Sequence, residues 1–76
     1  MKTYLRIGSD YLDDAKRYRS KKRAIEAFYR VASELARHDQ RIEASLHYAR
    51  TKDELQEYPD FVLSIGPRGG VKVERT

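Results

Sequence analysis

Thr3, Leu5 and Ile7 alternate with Tyr4 and Arg6, a period of two that predicts a half-buried strand ended by Gly8. The stretch from Ser9 to Arg19 gives no clean period. Tyr11, Ala15 and Tyr18 fall at helical spacing, but the stripe stops at Lys21-Lys22, so the expectation is a short helical turn or an irregular basic arm. From Ser20 the pattern sharpens. Ala24, Ile25, Phe28, Tyr29, Ala32, Leu35 and Ala36 recur at three- and four-residue steps behind a favoured N-cap serine, predicting the main helix over 21–37. Its outer face carries Lys22, Glu26, Arg30, Glu34 and Arg37. Glu26 and Arg30 are spaced for an ion pair, and Arg37 complements the helix dipole.

After His38-Asp39-Gln40, the residues Ile42, Ala44, Leu46 and Tyr48 alternate with Arg41, Glu43, Ser45 and His47, a second strand over 41–49. Thr51 and Glu54 then have capping-box spacing, and Pro59 ends any helix that follows after one or two turns. Phe61 to Ile65 is apolar except for Ser64, as a central strand would be. Gly66-Pro67-Arg68-Gly69-Gly70 reads as a type I turn with Pro67 at its second position, leading into a terminal strand in which Val71 and Val73 alternate with Lys72 and Glu74. The elements compose one small α+β domain over 1–76, in the order β-α-β-β-β. One main helix packs on a mostly antiparallel sheet, with a short helix before the third strand. The expected core is Ile25, Phe28, Leu35, Ile42, Leu46, Phe61, Leu63 and Ile65, with Tyr29 and Tyr48 facing it.

Composition narrows the function. Seventy-six residues support a single core, and 37% charged residues imply a densely charged surface. With no cysteine there is neither a disulfide nor a thiolate metal site to supplement that core, leaving packing or a homodimer as sources of stability. Arg6 interrupts the N-terminus before any long apolar run forms, so neither a signal peptide nor a membrane span is expected, and the reading is a cytoplasmic protein.

Sixteen basic against twelve acidic residues give a net charge of +4, which favours anionic partners. The distribution says more than the total. Lys16, Arg17, Arg19, Lys21, Lys22 and Arg23 crowd into eight positions around Tyr18. Such density repels itself and is relieved by phosphates, and Tyr18 could stack on a base. The competing explanation is a solvated face neutralised by Asp10, Asp13 and Asp14. Gly66-Pro67-Arg68-Gly69 has the GxxG spacing that clamps a nucleic-acid backbone between two helices, but here it joins strands. Arg68 is left as a single exposed arginine that could touch phosphate.

His38 and His47 are the only histidines, nine positions apart, which is no metal spacing. No metal or other cofactor is expected. Ser45 and His47 share one strand face without a third orienting group, so no buried, oriented histidine pair and no catalytic activity are expected. Tyr4, Tyr11, Tyr18 and Tyr58 are candidates for an exposed interface.

The segments 20–28 (SKKRAIEAF) and 58–71 (YPDFVLSIGPRGGV) resemble parts of short uncharacterised proteins of proteobacterial plasmids and phages. The resemblance covers about half of the chain and carries over no functional residue. It implies an accessory protein of a mobile element, a class that includes small regulators, antirestriction proteins and anti-CRISPR inhibitors. The +4 charge excludes an acidic DNA mimic. Two functions follow as expectations. One is contact with nucleic acid or a nucleoprotein complex through Lys16 to Arg23 and Arg68; the other is a protein-binding inhibitor or adaptor that docks exposed tyrosines on a host protein.

Overall fold

The computed structural model describes all residues, Met1–Thr76. One α-helix packs across an antiparallel five-stranded sheet, an α+β fold. The strands are β1 (Lys2–Ile7), β2 (Lys16–Tyr18), β3 (Ala44–Ala49), β4 (Phe61–Ile65) and β5 (Val71–Arg75), with α1 (Lys21–Ala36) between β2 and β3. In space the order is β2-β1-β3-β4-β5. The expected β3-β4-β5 meander is present, and β4 is an interior strand, although β3 holds the middle.

The helix starts where Ser20, in extended conformation, accepts a hydrogen bond from the Arg23 amide at 3.2 Å. It ends with Asp39 in the left-handed region, φ 56°, while the Gln40 amide turns back to the Leu35 carbonyl, the pattern that closes many helix C-termini. Ala24, Phe28 and Ala32 form its buried stripe against Leu5, Ala44, Leu46 and Leu63 of the sheet. Of the expected core, Phe28, Leu46 and Leu63 are sealed, while Ile25, Ile42, Phe61 and Ile65 are partly buried around them. Leu35 is half-buried.

Three local expectations need correction. The basic arm is an edge strand: β2 pairs with β1 through Thr3↔Tyr18, Tyr4↔Arg17 and Leu5↔Lys16, and only Leu12–Asp14 makes a helical turn before it. The regular part of β3 begins at Ala44 rather than Arg41. The short helix after Thr51 shrinks to one 3₁₀ turn, Lys52–Glu54, whose threonine makes no capping hydrogen bond.

The side of the sheet away from α1 is covered as well. Tyr4, Ala15 and Ala49 form a second buried cluster with Leu55 packed on it, and the Lys52 ammonium ties the two turns together by donating to the Asp13 carbonyl. This second layer buries Tyr4 and His47, at 5% and 1% exposure, where period-two alternation assigned both to the solvent side. Tyr29, expected in the core, is 46% exposed because the short helix needs only the Ala24–Phe28–Ala32 stripe to cover the sheet.

Gly8 is the tightest glycine. Its φ is +60°, and a Cβ there would lie 2.6 Å from Ile42 Cδ1. Gly8→Ala is expected to lower unfolding stability by about 1–2 kcal/mol, from left-handed strain and displacement of Ile42, as read by a urea melt.

Candidate nucleic-acid interface

Pairing of β2 with β1 and capping of α1 by Ser20 place two runs of basic residues beside each other. Arg17, Tyr18 and Arg19 come from the edge strand and its exit, Arg23 from the first turn of the helix, and together they line one open groove. Tyr18 is half-buried and packs on the main core, which makes it the floor of the groove rather than a free stacking platform. Lys16, next to Arg17, and Lys22, next to Arg23, stand exposed beside them in sequence. The N-terminal dipole of the 16-residue α1 adds to the positive potential at this edge.

The ion pairs are Arg6–Glu57, Arg37–Glu34 and Lys72–Glu74, and the exposed His38 ring lies 3.8 Å from Glu34. None involves a residue of the basic run. The acids expected to neutralise it form no ion pair with it: the Asp14 carboxylate accepts from the Ser9 hydroxyl, and Asp10 and Asp13 make no salt bridge. The anticipated Glu26–Arg30 pair does not form, and Glu34 instead pairs with Arg37.

Two of the sequence-selected residues leave the groove. Lys21 lies over the Phe61 ring, its Nζ 3.9 Å from the centroid, a cation–π contact. Arg68 sits in the β4–β5 hairpin, at the sheet edge opposite β2, and beyond the Ile65↔Val71 pair. The sequence in turn missed a second cationic cluster. Arg75 approaches the same Phe61 ring, Cζ at 5.6 Å, and Tyr48 meets it edge-on with centroids 6.1 Å apart. Counting outward from the hairpin turn reaches the pair Phe61↔Arg75, so the signal lay in the turn length.

On the covered back of the sheet, His47 Nε2 lies 2.8 Å from Ser45 Oγ, and the Arg6 guanidinium donates to the same oxygen at 3.1 Å. A buried histidine is therefore paired with a hydroxyl, contrary to expectation. The arrangement falls short of a triad, since His47 Nδ1 is buried without a hydrogen-bond partner and no third group orients the ring. Burial first, then the Arg6 charge, pushes the His47 pKa below 6.5, against the opposing pull of the Gln56 backbone, Asp60 and Glu57. Because the folded-state pKa is depressed, the unfolded chain takes up the proton more readily. The stability His47 contributes is whole above pH 6.5 and is lost as pH falls through the folded value. His47→Gln is expected to flatten the pH dependence of the urea midpoint below pH 6.5; an unchanged profile would assign that dependence to other groups.

No family model, characterised protein or solved structure matches the chain, so the function is argued from this geometry.

Proposed function

We propose that the domain binds nucleic acid, or a nucleoprotein complex, by holding phosphates in the groove of Arg17, Arg19 and Arg23, as an accessory protein of a mobile element. The observation that carries this reading is the concentration of cations at one sheet edge with no carboxylate paired to any of them. Uncompensated positive charge on a folded surface is relieved most strongly by a polyanion, whose condensed counterions are released on contact. Lys16 and Lys22 extend the contact. Lys21 and Arg68 are not part of it, the first committed to Phe61 and the second at the other edge.

Contacts of this kind go to the backbone and carry no base code. The binding is therefore tolerant of sequence. The alternative, docking on a host protein through tyrosines, has lost Tyr4 to the core and half of Tyr18, and retains Tyr11, Tyr58 and the half-exposed Tyr29 as its open aromatics.

Fluorescence anisotropy with labelled single- and double-stranded oligonucleotides tests the proposal. Arg68→Gln is expected to bind like the unaltered chain, whereas the Arg17→Gln/Arg19→Gln/Arg23→Gln variant binds roughly 10- to 100-fold more weakly at low salt. Equal losses from both variants would mean that charge acts only as a total, and no detectable binding by the unaltered chain would turn the reading to a protein partner.

A further inference from the structure

The two edges of the sheet differ in a way that bears on self-association. β2 is three residues long and carries Lys16 and Arg17, a charged, short edge of the kind that resists further strand addition. β5 is charged as well, with Lys72, Glu74 and Arg75, but it is longer and its charges are of both signs. It is five residues long, carries alternate valines, and is held in register with β4 along its whole length.

The direction of its free hydrogen-bonding groups follows from the two ends of the hairpin. The Gly66 amide donates to the Gly70 carbonyl, and the Thr76 amide donates to the Asp60 carbonyl. Hydrogen-bonded partners in an antiparallel ladder recur every second residue, so the even-numbered residues of this strand face β4. Val71, Val73 and Arg75 then direct their amides and carbonyls outward, away from the sheet.

We propose that β5 pairs antiparallel with β5 of a second copy, on a two-fold axis through Val73, joining the two sheets into one. In that register Val73 meets Val73 of the second copy, and Val71 meets Arg75, using the three outward-facing residues of each strand for about six hydrogen bonds. The intervening residues decide the matter. Lys72 and Glu74, already an ion pair within the strand, fall opposite Glu74 and Lys72 of the second copy, in the non-hydrogen-bonded positions where Cα atoms are only about 4.5 Å apart. The strand is thus complementary in charge to itself, as an isologous interface requires.

The helix layer fits the same arrangement. Ala36 lies with Ser64 and Ile65 around one groove, which puts its flank of α1 over β4, and Ile25 and Tyr29 share that flank at helical spacing. Tyr29 is 46% and Val73 37% exposed, two uncovered apolar groups on the side a second copy would occupy. Arg23 lies on the other flank with Arg17 and Tyr18, so pairing through β5 leaves the basic groove open at both outer edges. The inference does not depend on nucleic-acid binding.

Sedimentation velocity over a dilution series of the full chain tests it. The expected result is a reversible shift from 8.9 kDa to twice that mass, with a dissociation constant of roughly 10–100 µM for so small an interface. Val73→Pro removes an amide that β4 does not use, a substitution edge strands tolerate, and is expected to weaken the dimer at least about tenfold. Circular dichroism checks that this variant folds. Glu74→Lys sets like charges opposite each other and is expected to weaken it roughly tenfold, while Lys72→Glu/Glu74→Lys restores the unaltered affinity. A chain that stays monomeric at about 1 mM, or a dimer indifferent to Val73→Pro and to the charge exchange, would overturn the proposal.

Discussion

Phe28→Ala is expected to lower the unfolding free energy by about 3–5 kcal/mol. Phe28 has no exposed surface and stands in the middle of the Ala24–Phe28–Ala32 stripe, against Leu5, Leu46 and Leu63. The residues flanking it on the helix are alanines, too short to collapse into the space its ring would leave, so the cavity cost adds to the lost transfer energy. A domain of this size commands roughly 4–11 kcal/mol in all, and the substitution removes a large part of it. Tyr29→Ala, one residue along, removes a larger side chain from a half-exposed position and is expected to cost less than about 1 kcal/mol. Urea melts of both variants at low protein concentration separate the two. A Phe28→Ala loss below about 1 kcal/mol would mean that the helix is not anchored by this ring.

That contrast also marks where the sequence stopped being informative. The helical period located α1 and its cap to within a residue, because Ser20 and the spacing of Ala24, Phe28 and Ala32 state the same answer locally. It could not separate Phe28 from Tyr29, since both lie on the broad apolar arc and only the width of the sheet decides which one is covered. The strands of the meander were legible from alternation and from the glycines at 66, 69 and 70. β2 was not, because Lys-Arg-Tyr has no pattern of its own and becomes a strand only by pairing with Thr3 to Leu5.

The back of the sheet was misread for a related reason. Alternation assigns Tyr4 and His47 to a solvated face whenever the other face is clearly apolar. Here the turns around Leu12–Asp14 and Lys52–Glu54 fold over that face and bring Ala15 and Leu55 with them. Their own sequences are polar, so nothing in them announces a covering layer. The candidate site was half legible. Charge density found Arg17, Arg19 and Arg23, but whether Asp10, Asp13 and Asp14 neutralise them is a question of side-chain direction, and the diversion of Lys21 to Phe61 is a long-range contact that local pattern cannot report.

The central claim is that the groove residues act by neutralising phosphates, and the salt dependence of affinity reads that number directly. Each neutralised phosphate contributes roughly 0.7 to 0.9 to the slope of log affinity against log salt. Anisotropy titrations between about 50 and 300 mM salt, across which the screening length shortens roughly twofold, supply the slope for the unaltered chain and for Arg17→Gln/Arg19→Gln/Arg23→Gln. The account predicts a slope reduced by about 2 to 3 in the triple variant and unchanged in Arg68→Gln. A slope that survives the triple substitution, or binding too weak to measure at the lowest salt, would contradict it.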